Sequence, residues 1–226
     1  MHTYVMRVWL PDRPGALGAV ASRIGAVRGD VVGIEILEQD GGRAVDDLVV
    51  RLPDETLVGL LLAEVGQVDG VDVEDIRPLA DALHDPRLDA LESAAQLVAA
   101  ASIEELLGGL CDRAAATIGA HWAVVLDLDG GEIRAGIGDA PPTAWLAAFV
   151  AGSRASARVV AMEAGPADVV WAPLPQANLA LVMGRDGHAF RARERRSAAA
   201  LARIVDTRHR ELARTAYRTR HPSTGR

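Results

Sequence analysis

The sequence contains no lysine: all 24 of its Lys-plus-Arg positions are arginine. A GC-rich coding bias explains the replacement, and the chemical consequence is definite. No Schiff-base lysine and no phosphate-loop lysine can operate in this chain. Cysteine is almost as scarce. The single thiol, Cys111, cannot close an intramolecular disulfide. It falls in the run Leu106, Leu107, Leu110, Cys111, Ala114, Ala115 and Ile118, whose spacing predicts the apolar stripe of a helix and a buried thiol. Aromatics make up 4% of the chain, so Val, Leu, Ile and Ala must fill any core. No apolar run approaches the roughly 18 residues of a membrane span, and no basic-then-apolar leader pattern opens the sequence. A soluble, cytoplasmic protein is the expectation.

Catalytic and metal patterns are lacking too. The six histidines, at 2, 84, 121, 188, 209 and 221, form no HxxxH or HxH pair, and one cysteine cannot build a structural zinc site. Gly136-Ile137-Gly138 lacks the third glycine and the following acid of a dinucleotide fingerprint. No serine sits in G-x-S-x-G. Asp127 with Asp129 brackets a turn, and Asp46-Asp47 alternates across a strand; solvent exposure suffices to explain either pair. A chain without an assembled nucleophile, base and oxyanion donor is expected not to be an enzyme, and no metal or cofactor is expected.

What remains is an ordinary globular composition, 50% hydrophobic and 24% charged, in 226 residues, enough for two small domains. Charge is unevenly spread. Residues 1–79 hold 7 Arg and 14 acids, 80–187 hold 6 and 14, and 188–226 hold 11 and 3, giving −7, −8 and +8. The basic C-terminal block raises nucleic acid as a partner. Its arginines punctuate an amphipathic pattern, however, which is how a solvated helix face reads, so nucleic-acid binding is not expected.

Periodicity and turn residues divide the first eighty residues into six elements. Strand Tyr4–Leu10 ends at the turn cluster Pro11-Asp12-Arg13-Pro14-Gly15. A helix follows over about Ala16–Val27, with Leu17, Val20, Ala21, Ile24 and Val27 on one stripe. Strands over Val31–Gln39 and Arg43–Leu52 flank the hairpin signal Asp40-Gly41-Gly42. A helix starting at Pro53-Asp54 and a strand over Gly70–Ile76 complete the set. The order βαββαβ predicts a ferredoxin-like sheet with both helices on one face. The other face carries Val5, Arg7, Trp9, Glu35, Asp47, Val49 and Arg51, a mixture suited to a covered or partly solvated surface. Residues 80–89 read as a linker. Helices are expected over Ala90–Ala101 and Ile103–Ile118, with Ser102 and Glu105 forming a capping box. Strands are expected at His121–Leu128, with Trp122, Val124, Leu126 and Leu128 inward, then at Glu132–Ile137, Arg158–Glu163, Asp168–Leu174 and Asn178–Gly184. Helices Pro141–Ala155 and Arg191–Ala213 and a disordered basic tail, 214–226, finish the chain. The fold class is α+β.

The strand Val5–Leu10, the loop Asp12-Arg13-Pro14-Gly15 and the helix start Ala16-Leu17 resemble the ACT family, over residues 1–79. That resemblance implies a small-molecule site, usually for an amino acid, lined by the strand-to-helix loop and the start of the second strand and often shared between subunits. Carried onto this sequence, it marks Asp12, Arg13, Pro14, Gly15, Ala16, Leu17, Val31 and Val32. Pro14 and Gly15 let the backbone approach a ligand, the helix start offers amides to a carboxylate, and Asp12 can accept from an ammonium. Asp12 acting only as a helix cap stays open as an alternative. Family members often carry a polar amide where Val31 and Val32 stand, so an apolar side-chain pocket is conceivable here. Residues 90–213 resemble a GAF-type sensory domain through Glu104-Glu105-Leu106-Leu107, the pair of strands around Asp129-Gly130-Gly131, Val170–Leu174, and Phe190 with Arg193-Glu194-Arg195. Trp145, Phe149 and Trp171 are candidates for a second pocket or for core packing. The functional expectation is a non-catalytic amino-acid-binding regulator, a homodimer, acting through a separate partner protein. The alternatives are a ligand-free dimerisation module docking on a metabolic enzyme, and a transcription-linked regulator using the basic helix.

Overall fold

A computed structural model describes residues 1–79, 86–155 and 168–220. The chain divides into two compact units, Met1–His84 with Arg191–Arg193, and Asp85–Phe190 with Glu194–Arg226. In the first, strands β1 (His2–Pro11), β2 (Asp30–Asp40), β3 (Arg43–Leu52) and β4 (Asp72–Leu79) form an antiparallel sheet in the order β2-β3-β1-β4. Helices α1 (Ala16–Ala26) and α2 (Val58–Val65) pack on one face of it. Met6, Val8 and Leu10 alternate inward from β1, and Leu48, Val50 and Leu52 from β3. Val20, Ile24, Leu61 and Val65 meet them from the helices, each of these side chains being buried. Ala21 and Leu60, which the helical spacing places on these stripes, are exposed. The second helix starts later than its Pro-Asp signal. Asp54 accepts from the Thr56 amide at 2.9 Å and leads a 3₁₀ turn, Glu55–Leu57, before α2 begins.

The second unit is built on a sheet of order β6-β5-β8-β7, with β5 (Trp122–Asp127), β6 (Ile133–Ile137), β7 (Val169–Leu174) and β8 (Leu179–Gly184). Helices α3 (Pro86–Ala99), α4 (Ile103–Ile118) and α6 (Ala192–Arg220) cover one face; α5 (Thr143–Ala155) covers the other. Burial on both faces overturns the expected one-sided alternation of β5. Ala123 and Val125 enter the α4–α6 core while Val124 and Leu126 enter the α5 side. The capping box is present in a shifted form: Ser102 Oγ accepts from the Glu105 amide at 3.1 Å, while the Glu105 carboxylate accepts from Ala101 rather than Ser102. Cys111 is fully buried, and burial, with Asp112 nearby, pushes its thiol pKa up to about 12. It is an inert core residue.

Two corrections concern the basic end of the chain and the linker. Helix α6 runs to Arg220, so Arg214–Arg220 are helical and not a disordered tail. Long, straight-chained arginines are good helix formers, and no glycine or proline interrupts the run. The helix α3 starts at Pro86, inside the expected linker. The strand expected over Arg158–Glu163 lies outside the described residues, as do 80–85 and 221–226.

Buried polar groups clamp this unit together. Arg185, 3% exposed, donates through Nη1 to the Ile118 carbonyl at the end of α4 and through Nη2 to the Ala189 carbonyl. It also forks onto Glu194 at 2.9 and 2.7 Å and lies over the Phe190 ring. Asp206 of α6, also 3% exposed, accepts from the amides of Gln176 and Ala177 in the β7–β8 turn at 3.0 Å each. Asp206→Ala strands both amides, and the expected cost is about 1–3 kcal/mol in denaturant unfolding of the whole chain. An unchanged midpoint would show that water replaces the carboxylate at no cost.

Candidate functional site

The turn from β1 into α1 is shaped by backbone requirements. Gly15 sits at φ 89°, a left-handed conformation that a side chain disfavours, and serves as N-cap. It has no side chain with which to cap, and no other residue supplies one. The alternative in which Asp12 caps the helix is therefore excluded, and the first-turn amides of Leu17 and Gly18 have no capping side chain. Asp12, Arg13, Pro14 and Gly15 are exposed, Leu17 is half-buried against the core, and Ala16 is buried within it. The Asp12 amide donates to the Gly42 carbonyl at 2.9 Å, which holds the loop against the β2–β3 hairpin. The loop thus presents a helix start, with its partial positive charge, beside an exposed carboxylate.

The structure does not bring Val31 and Val32 to that loop within one chain. Val31 pairs with Val50, opposite Tyr4 of β1, whereas the loop end of the sheet is marked by Gln39, Ala44 and Leu10. Six residues of strand separate the two levels, about 20 Å. Val31 packs on the core; Val32 is 40% exposed, as are Ile34 (51%) and Ile36 (48%) farther along β2. Ile34 and Ile36 lie on the helix-facing side of this edge strand where the helices leave them exposed, and Val32 stands at a bulge between Val31 and Gly33.

Sequence reasoning missed a residue close to the loop. Asp46 belongs to the helix-facing row of β3, between Ala44 and Leu48 and opposite Val8 and Ile36. It is 4% exposed, and its Oδ1 is buried without a hydrogen-bond partner. Burial, then the charges of Asp47 and Asp12, raise its pKa to about 6. Asp47, the next residue, points to the opposite face and meets Arg7 in a two-pronged pair, Nε to Oδ1 at 2.8 Å and Nη2 to Oδ2 at 2.9 Å, with Arg77 at 3.4 Å. Burial pushes the Asp47 carboxyl up, but the hydrogen bonds and charge of Arg7, helped by Arg77, outweigh it and leave the pKa below its ordinary value. The only clue in the sequence was a second acid at an inward-pointing strand position.

In the second unit, Phe149 and Trp171 pack against the cluster between the sheet and α5, with Leu146, Val150 and Val182. Trp145 is 42% exposed and stacks on Phe149 with ring centroids 5.4 Å apart. A shallow cavity of about 470 Å³ lies elsewhere, along α6, lined by Gln176, Ala177, His209, Arg210, Arg214 and Tyr217 among others. Among the described residues, no three His, Cys, Asp or Glu side chains are grouped to hold a metal. No helix among them is long and apolar enough to cross a membrane.

The architecture is mixed α/β, with two antiparallel four-stranded sheets, compatible with an α+β fold. No family model matches the chain, and no curated protein does. Solved structures do. An uncharacterized protein of Thermotoga maritima is 24% identical over 34% of this chain and 95% of its own, with a TM-score of 0.28. The ACT domain of a GTP pyrophosphokinase from Chlorobium tepidum is 15% identical over 35% of this chain and all of its own, also at 0.28. A bacteriophytochrome of R. palustris is 10% identical over 83% of this chain and 44% of its own, at 0.48.

The raised Asp46 pKa has a definite sign. A carboxyl whose folded pKa is about 6 against an unfolded value near 3.8 costs stability once ionised. The cost develops as pH rises from about 4 through 6 and is complete above that. Asp46→Asn keeps the shape and removes the charge. It is expected to stabilise the protein by roughly 1–2 kcal/mol at pH 7.5, after allowance for solvent screening, and by almost nothing at pH 4. Thermal unfolding of both forms across that range reads the difference; a constant difference would mean that Asp46 ionises in the folded protein as readily as in the unfolded chain.

Proposed function

We propose that the N-terminal unit is an ACT-like regulatory module that binds an amino acid at the Asp12–Leu17 loop, in a protein without catalytic activity of its own. The observation that carries this reading is the start of α1: a glycine-led helix start with no capping side chain, next to the exposed Asp12 carboxylate. A free α-carboxylate matches the first-turn amides, and a free α-ammonium matches Asp12. The two groups are displayed on adjacent backbone, as they are on the ligand.

The edge strand supports a shared site. Two copies related by a two-fold axis and paired antiparallel along β2 would cover Val32, Ile34 and Ile36 with their own counterparts. The same operation carries the start of one copy's β2 toward the partner's hairpin end, where its Asp12 loop lies against Gly42. Val31 and Val32 then reach a loop from which they are about 20 Å away in their own chain. Ligand binding at such a place orders the loop and tightens the pairing, and a separate partner protein reads the change. The exposed apolar row equally supports the second reading, an assembly module that dimerises without any ligand.

A thermal-shift screen of the full chain against the twenty amino acids separates the two readings. At about 100 times its dissociation constant, a ligand stabilises the fold by about 2.7 kcal/mol, a rise of several degrees. Asp12→Ala is expected to abolish that rise, and Ile34→Arg to convert dimer to monomer in light scattering and weaken the ligand's effect. A dimer inert to all twenty compounds would leave only the assembly role.

A further inference from the structure

We infer that Asp46 receives a second, side-chain cation of the ligand while Asp12 keeps the α-ammonium, so that the bound molecule is a basic amino acid of the lysine or ornithine type. The inference rests on the reading of the Asp12–Leu17 loop as an amino-acid site and names which class of amino acid that site takes.

The geometry is a buried carboxylate without a partner, in the helix-facing row of β3 next to Ala44 at the loop end of the sheet. Asp46 lies at 4% exposure on the helix-facing side of β3, with Oδ1 unpartnered, and the Asp12 carboxylate is near enough to raise its pKa. A buried carboxylate with no hydrogen bond is costly, and native structures keep such groups where something else completes them. Among the described residues, none supplies Asp46 with a counter-ion. The charged groups acting on Asp46 are Asp47 and Asp12, both negative, and its cross-strand neighbours are Val8 and Ile36. Arg43, three residues before Asp46 at the loop end of β3, is engaged by Asp72 at 2.7 Å and by the Gly70 carbonyl. Arg7 and Arg77 serve Asp47 on the other face.

Charge counting then selects the ligand. The helix start takes the α-carboxylate and Asp12 takes the α-ammonium, which leaves Asp46 for one more positive group. An amino acid with an apolar side chain brings none; lysine or ornithine brings one at the end of a flexible stem. Asp46 itself is covered, and the surface beside it is the apolar side chain of Ile36, directly across on the edge strand and 48% exposed. The stem can lie along that apolar row while the ammonium reaches the carboxylate.

The test is calorimetric titration of the full-length protein at pH 7.5 with L-lysine and with L-norleucine, which has the same stem without the ammonium. The wild type is expected to bind L-lysine at least tenfold more tightly. Asp46→Asn is expected to erase the difference between lysine and norleucine measured on that variant; Asp46→Ser serves as the second variant. Norleucine binding as tightly as lysine, or a lysine preference that survives both variants, overturns the role of Asp46 and leaves the amino-acid site at the loop standing. Failure of both probes, and of every other amino acid in the screen, overturns the site together with this inference.

Discussion

Strand β3 imposes one constraint on everything around it: consecutive residues point to opposite faces of the sheet. Asp46 and Asp47 are neighbours in the chain with the same side chain, and the two-residue period gives them opposite environments. Asp47 finds the Arg7 guanidinium at hydrogen-bond distance in a 1%-exposed setting and is held ionised. Asp46 finds Val8, Ile36 and a second carboxylate, and resists ionisation. A one-residue slip in register would exchange the two, setting Asp46 against Arg7 and Asp47 in the helix-facing row, and would turn Leu48, Val50 and Leu52 out of the core. Those three apolar side chains therefore fix the register that puts Asp46 on the side where the helices lie.

Local rules carried much of the fold and stopped at long-range pairing. Hairpin glycines at 41 and 42, the Ser102 cap and the stripe through Cys111 depend on residues a few positions apart, and each is where the sequence pattern puts it. Strand register depends on partners forty residues away. Nothing in the sequence says that Val31 stands opposite Val50 and Tyr4, or that it is far from Asp12 in the same chain. The same limit hid the two-sided burial of β5. A strand reading Trp-Ala-Val-Val-Leu-Asp fits one-sided alternation as well as a central position, and only its two neighbours, β6 and β8, settle the matter. The site was half legible: the Asp12–Leu17 loop is a local signature, whereas Asp46 becomes visible once β3 is paired and α1 is packed.

The basic C-terminal block gains a structural role from its acids. Of its three carboxylates, Glu194 holds the buried Arg185 clamp and Asp206 holds the β7–β8 turn, so two of the three face inward. The outward surface of α6 is left almost purely cationic over its last three turns, with Arg210, Arg214 and Arg218 spaced four residues apart on one side. The excess of +8 is set by composition, eleven arginines against three acids, and the inward placement of two of those acids leaves the arginines to dominate the solvent face. It does not require a nucleic-acid partner.

On the proposed reading, Asp46 would let a binding site be kept at a thermodynamic loss. An ionised carboxylate without a partner destabilises the free protein, and replacing it with an uncharged residue would relieve that cost. A ligand that supplied the missing cation would convert the same penalty into differential affinity, because the interaction would exist only with ligand and folded loop both present. The free energy withheld from the empty module would then return on binding, near the loop and the hairpin that the Asp12–Gly42 hydrogen bond joins. A fully satisfied site, with an arginine already seated on Asp46, would be more stable and would have nothing left with which to respond.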